Sequence, residues 1–202
     1  MKAHEMFLQM SPALAVELVD FFYNSDRNVY KTTISTLAAQ RKLRPVFVTK
    51  KTRDYQFQWV VKALQTKRSD EIAQHLLQAW LMKAKSDMLV AFLDKQGIEH
   101  DGTGAVDELP KILDPEKLKL AIDALLGKYS AEEVTLYLRM FQLQEEGGWA
   151  ELAAELEKDD RLQLGTATKA PEPESESESA AEAEPAAVAV AEEAKEDAPT
   201  AE

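Results

Sequence analysis

A short polar loop concentrates most of the groups that could act as acids, bases or metal ligands. The sequence GIEHDGTGAVDE, residues 97–108, carries Glu99, His100, Asp101, Asp107 and Glu108. A calcium loop starting at Asp101 would need glycine at Val106 and a bidentate glutamate at Ile112, so that pattern fails. We therefore predict a polar surface loop. An all-α enzyme that uses His100 and the carboxylates of residues 99–108 is an alternative.

Other motifs of catalysis and cofactor binding are missing from the sequence. The chain has three histidines and no cysteine, which excludes disulfides, thiolate metal sites and cysteine nucleophiles. It contains no HExxH, no glycine-rich phosphate loop after a strand and no GxSxG. We accordingly predict no catalytic residue, no metal and no cofactor, and we favour a protein that is not an enzyme.

A second stretch has the chemistry of binding rather than catalysis. Cationic and aromatic residues alternate over residues 41–62, and the predicted contact residues are Arg41, Lys42, Arg44, Lys50, Lys51, Arg53, Tyr55, Trp59 and Lys62. Cations neutralise phosphates or carboxylates, and aromatic faces stack on unpaired bases. The pattern is compatible with a protein partner or with a nucleic acid. A third interpretation is that Tyr55 and Trp59 pack under a neighbouring helix and that the cations only pair with the net −9 of residues 69–169.

The basic stretch stands out because the rest of the chain is acidic. The formal net charge is −12, yet residues 27–68 carry eleven Lys and Arg against Asp54 alone. Residues 69–169 carry a net −9 and residues 170–202 a net −10. Such asymmetry indicates partners more directly than the total charge does. The acidic C-terminal residues could mask the basic surface by competing with an anionic partner.

Composition divides the chain into two parts. From residue 165 onward Ala, Glu, Pro and Ser dominate and aromatic residues are missing, so this part cannot bury enough apolar area to fold. We predict a helical domain over residues 3–164 and a disordered acidic tail over residues 165–202.

Helix start and stop signals punctuate the first part. Caps are predicted at Ser11, Asp26, Thr52, Ser69, Ser86, Asp114 and Ser130, with stops at Gly97, Gly127 and the Gly147-Gly148 pair. These signals predict an all-α fold of about eight helices, compact or mildly superhelical. The one β-like run, PVFVT at residues 45–49, is predicted to be an extended loop because it has no partner strand.

Helical periodicity assigns faces to the predicted helices. In the helix over residues 52–66 the buried stripe comprises Phe57, Val60, Val61 and Leu64, and Tyr55, Trp59 and Lys62 lie on the opposite face. His75 is predicted to be exposed. The helix over residues 131–145 has apolar residues on two sides, which is typical of a central helix.

Together these patterns predict a non-enzymatic binding or scaffold module that contacts its partner through residues 41–62. A nucleic-acid-binding accessory protein is an alternative. No run of about 18 apolar residues occurs, so we expect no membrane partner. The lack of cysteine and of a secretory signal favours the cytoplasm.

Overall fold

The fold is all-α. The computed structural model describes residues 1–144 and 148–165, and these contain ten α-helices and no β-strand. The helices are α1 Ala3–Gln9, α2 Pro12–Ser25, α3 Arg27–Gln40, α4 Val46–Thr49, α5 Arg53–Leu64, α6 Asp70–Ala84, α7 Ser86–Gln96, α8 Pro115–Leu126, α9 Ala131–Gln142 and α10 Ala150–Lys158. None of these helices is long and apolar enough to cross a membrane. The predicted disorder of residues 165–202 concerns a segment that, beyond Gly165, lies outside the described residues.

The all-α prediction is confirmed, and two helices were missed. All eight predicted helices are present, and α1 and α4 are additional. The prediction of an extended loop at residues 45–49 is wrong, since Val46–Thr49 forms one helical turn after Pro45. A run of four β-branched and aromatic residues after a proline is too short for its periodicity to distinguish a helical turn from an extended segment.

Five of the seven predicted caps are confirmed. The side chains of Ser11, Asp26, Thr52, Asp114 and Ser130 each accept a backbone N–H of the first helical turn. Ser69 holds the predicted N-cap position of α6 but makes no side-chain cap bond, and the prediction for Ser86 is wrong. The Ser69 hydroxyl is hydrogen-bonded to Gln40 and Thr66 instead, and Ser86 is already the first residue of α7, so neither side chain caps a helix.

The core has α6 and α9 near its centre. Helix α6 packs against α1, α2, α5, α7 and α9, while α9 also packs against α8 and α10. Buried residues occupy both sides of α9, as predicted for a central helix, and His75 on α6 is exposed, also as predicted. Two groups of edge-to-face rings fill the space between helices: Tyr23, Tyr30 and Phe57 in the first half, and Phe92, Tyr137 and Phe141 in the second.

Buried polar contacts tie distant parts of the chain together. Glu132, at the second position of α9, is only 5% exposed. Its carboxylate accepts the backbone N–H and the hydroxyl of Ser11, the latter at 2.7 Å, and the N–H of Gly165 at 3.0 Å. One carboxylate therefore holds the junction of α1 and α2 and the end of the described chain against the start of α9. We call this arrangement the Glu132 clamp.

Two contacts of acidic side chains reinforce the same packing. His4 on α1 contacts Asp70 at the start of α6 through both its backbone N–H (3.0 Å) and its ring Nδ1 (2.7 Å). Lys85, between α6 and α7, donates to Glu133 of α9. Burial raises the pKa of the Glu133 carboxyl, but hydrogen bonds from Lys85 and Ser130 outweigh burial, so this pKa lies below its ordinary value. Both pairs favour the charged form of the acid and fix one helix against another.

Candidate binding surface

The residues predicted for partner binding lie around two parallel helices. Tyr30 near the start of α3 donates to Gln56 near the start of α5 at 3.0 Å. Arg41 just after α3 donates to the carbonyl of Lys62 near the end of α5 at 3.2 Å. Helices α3 and α5 therefore run in the same direction, and residues 41–52 must carry the chain back along them. We call residues 41–52 the return segment.

The return segment is held by few contacts. Its only buried side chain is Val48, and the Gln56 amide of α5 donates to the carbonyls of Thr49 and Lys51 at 3.2 and 2.8 Å. At its start, Leu43 N–H bonds to the Ala38 carbonyl and Lys42 N–H to the Ala39 carbonyl. This pair of bonds is a Schellman motif, which places the intervening residue in the left-handed region. Lys42 occupies that position with φ 56°.

Lys42→Gly is expected to stabilise the protein by about 0.5–1 kcal/mol. A side chain in the left-handed region costs about 1–2 kcal/mol, and glycine's greater freedom in the unfolded chain offsets part of the gain. For a domain of this size the melting temperature should rise by about 2 °C. Lys62→Gly, inside α5, is the control and should lower it. A lower melting temperature for Lys42→Gly would contradict the assignment of strain to this residue.

Several apolar side chains of this surface are open to solvent. The exposed fraction is 42% for Leu43, 42% for Val46, 62% for Phe47 and 48% for Tyr55. Exposed apolar residues are ordinary when scattered, but four within thirteen residues of the sequence are a concentration. Of these, only Tyr55 was predicted as a contact residue. Leu43, Val46 and Phe47 were missed because the run around them was interpreted as a loop with no assigned face.

The cations of this surface are largely unpaired. Among the described residues, Arg53 is the only basic residue of residues 27–68 with an ion pair, to Asp20 of α2. The hydrogen bond that Arg53 donates to Asp20 raises the pKa of Arg53. The contact residues Lys42, Arg44, Lys50 and Lys62 are exposed and make no ion pair within the described part of the chain. Because Arg53 pairs with Asp20, no ion pair of the described residues supports the interpretation that these cations pair with the acidic residues 69–169.

The predicted contact residues form three groups along the surface. Arg41, Trp59 and Lys62 lie towards the ends of α3 and α5; Lys51, Arg53 and Tyr55 lie at the start of α5; and Lys42, Arg44 and Lys50 are on the return segment. The predicted exposure is confirmed for Tyr55 and Lys62 and is wrong for Trp59, which is half-buried against the core. The Arg41 guanidinium lies 5.5 Å from the centre of the Trp59 ring.

Arg53 is also part of an aromatic cluster below the surface. Its guanidinium lies 4.9 Å from the Tyr23 ring centre and 5.2 Å from that of Phe57, and Arg27 lies 4.3 Å from Tyr23. Burial raises the pKa of neighbouring Tyr30 to about 12. Cations are attracted to the faces of aromatic rings, so Arg53 contacts the ring cluster where α2, α3 and α5 meet.

The acids and the histidine of the polar loop over residues 97–108 line one pocket of about 870 Å³, which includes Glu99, His100, Asp101, Asp107 and Glu108. Gly102 N–H donates to His100 Nδ1, so Nε2 carries the ring proton and faces Asp94 of α7 at 3.1 Å. The Asp101 carboxylate accepts from Thr103 and Ala105, and the bonds from Thr103 lower its pKa. Over residues 1–144 and 148–165, no three His, Asp or Glu side chains converge as metal ligands would.

Residues 41–62 place exposed cations beside exposed apolar side chains, on a segment that has one buried side chain between residues 41 and 52. Within the return segment, Lys42 adopts a left-handed backbone conformation in which glycine would be less strained. Backbone strain at residues other than glycine is concentrated at functional positions. In comparisons with known proteins, no family model, no curated protein and no solved structure matches this chain.

Proposed function

We propose that this protein is a non-enzymatic binding module that recognises an acidic segment of a partner protein through the return segment and the start of α5. The observation that carries the proposal is the combination of exposed Leu43, Val46 and Phe47 with unpaired Lys42, Arg44 and Lys50. Apolar anchors inside a rim of complementary charge are the usual anatomy of a protein interface.

The aromatic geometry favours a protein partner over a nucleic acid. Stacking on an unpaired base needs a free ring face. The Trp59 ring is half-buried with Arg41 over it, and Lys51 lies 5.9 Å from the Tyr55 ring centre. Phe47 offers one open ring, but Leu43 and Val46 beside it are aliphatic and suit an apolar partner face. Nucleic acid is the alternative that the experiment below distinguishes.

The acidic C-terminal residues belong to the same proposal as competitors for this surface. Residues 170–202 carry a net charge of −10 against the +10 of residues 27–68. Attraction between exposed charges is screened beyond about 8 Å at physiological salt, so competition should be strong at low ionic strength and weak at high. The lack of cysteine agrees with a cytoplasmic location, which we propose as well.

A pull-down with matched surface variants tests the proposal. Phe47→Ser should remove an interface anchor and lower recovery of the specific partner by about tenfold or more, because central anchors contribute about 2 kcal/mol. Ile112→Ser is the control, since Ile112 is equally apolar and 73% exposed but lies far along the chain. Lys50→Glu combined with Lys51→Glu should have an effect similar to that of Phe47→Ser, against a Lys119→Glu control.

Nuclease treatment and removal of the acidic residues complete the design. A protein that is still captured after nuclease treatment, and that Phe47→Ser no longer captures, supports a protein partner. If nuclease treatment abolishes capture, the partner is a nucleic acid and the proposal of a protein partner is wrong. Deleting residues 170–202 should raise recovery at low salt, and an equally charged scrambled sequence should restore the wild-type level. Equal recovery by wild type, Phe47→Ser and the double charge reversal would show that this surface does not bind.

A further inference from the structure

A cavity of about 230 Å³ lies apart from the proposed binding surface, between α6, α7, α9 and residues 104–109. Leucine, methionine, valine and phenylalanine side chains form most of its wall. Met82 and Gln144, both exposed, also line it, so the cavity opens to solvent at that end. No charged side chain of the described residues lines it. Its size is below that of drug-sized sites and is sufficient for a molecule of a few carbon atoms more than benzene.

The loop side of the cavity is a close fit against α7. Gly104 has φ 95°, and a Cβ atom built there would lie 2.8 Å from the Cβ of Leu89, which also lines the cavity. Only glycine lets the backbone come this near to α7 in this conformation. At Gly104 this wall of the cavity is therefore formed by backbone, and no side chain extends from that residue into the cavity.

Tyr137 contributes a hydroxyl group to the wall. Tyr137 of α9 lines the cavity and is 4% exposed, and its ring packs edge-to-face on Phe92. None of the hydrogen bonds formed among residues 1–144 and 148–165 involves its hydroxyl, and burial raises the pKa of that hydroxyl well above its ordinary value. The hydroxyl is not fully enclosed, so a bound molecule with a hydrogen-bonding group would replace water as its partner.

We propose that this cavity is a binding site for a small, uncharged organic molecule that has an apolar body and one hydrogen-bonding group, which contacts the Tyr137 hydroxyl. The apolar wall excludes water from the body of the ligand. A charged group would have to be desolvated without a counter-charge, which disfavours organic acids and amines. Gln78 and Gln144 supply amides near the opening for a second polar contact.

Titration of the full chain with two probes, phenol and benzene, tests the proposal. Both should bind at millimolar concentration, raise the melting temperature and give NMR contacts to Leu89 and Met140, because binding to the native state stabilises it. Phenol should bind more tightly. Tyr137→Phe should lower the affinity for phenol about tenfold, which corresponds to the loss of one hydrogen bond, and should leave the affinity for benzene unchanged.

Val106→Phe provides the independent check on location. Val106 lines the cavity, and a phenylalanine there should fill it and abolish binding of both probes. Val90→Phe, on α7 but outside the lining, is the control for an added ring and should leave binding intact. Absence of any response to both probes in the wild type, or retention of binding in Val106→Phe, would refute the site. An unaltered phenol affinity in Tyr137→Phe would refute the assigned ligand class.

Discussion

Glu132→Ala is expected to lower the free energy of unfolding by about 3–4 kcal/mol. The substitution removes three hydrogen bonds to a buried carboxylate and leaves the N–H groups of Ser11 and Gly165 without that partner. Hydrogen bonds to charged groups contribute about 1.5–3 kcal/mol each, and unmet buried donors add a penalty that partial entry of water reduces. The loss is a large share of the 5–15 kcal/mol typical of a domain.

Urea unfolding measures this effect, with a closely matched control. Glu116 holds the same second position in α8 that Glu132 holds in α9, but Glu116 is exposed. Glu116→Ala therefore reports the helix-dipole contribution alone, about 0.3–1 kcal/mol. The loss of unfolding free energy in Glu132→Gln should lie between those of Glu132→Ala and Glu116→Ala, because the glutamine amide retains one hydrogen-bond acceptor. If Glu132→Ala and Glu116→Ala unfold at the same urea concentration, the Glu132 clamp is not a stabilising contact.

Trp149→Ala is expected to cost about 3–5 kcal/mol, the range for removing a large buried aromatic side chain. Trp149 is 1% exposed and stacks on Phe141 with ring centres 4.7 Å apart. Its indole N–H also donates to the Pro110 carbonyl at 2.7 Å, which fixes the long connection between α7 and α8. The side chain thus fills the core and anchors a loop at the same time.

Trp149→Phe separates these two roles. Phenylalanine keeps an aromatic ring against Phe141 but loses the hydrogen bond to Pro110, so we expect a cost well below that of alanine together with faster amide exchange over residues 97–114. Trp59→Phe, at a half-exposed position, is the control and should leave exchange in that loop unchanged. Unchanged exchange in Trp149→Phe would mean that the loop is fixed by other contacts.

Local chemistry accounts for what the sequence predicted correctly. The caps at Asp26, Thr52 and Ser130 depend on residues two or three positions away, so the sequence contains both partners. Ser69 has the same signal but fails because Gln40, 29 residues earlier, takes its hydroxyl. A competing partner of this kind is decided by packing and is not visible in local spacing.

The candidate surface was predicted in outline for the same reason. Charge clustering showed where the cations are, and helix geometry showed correctly that Tyr55 and Lys62 are exposed. Trp59 departs from the prediction because it packs against the core with Arg41 over its ring, and only the parallel arrangement of α3 and α5 brings Arg41 there. Glu132 looked like an ordinary first-turn acid, since its partner Ser11 is 121 residues away.

The Glu132 clamp also has a consequence for the timing of synthesis. Ser11 is made 121 residues before Glu132, and Gly165 follows 33 residues later. At about 5–20 residues per second, roughly 6–24 s pass between the synthesis of Ser11 and that of Glu132, and roughly 2–7 s more pass before Gly165 is made. Phe7 and Met6, fully buried in the finished protein, do not depend on that interval, because α1 packs mainly against α5 and α6, which are complete at residue 84. The junction of α1 and α2 is therefore packed early and tied to α9 late, so the Glu132 clamp forms between helices that already have most of their neighbours.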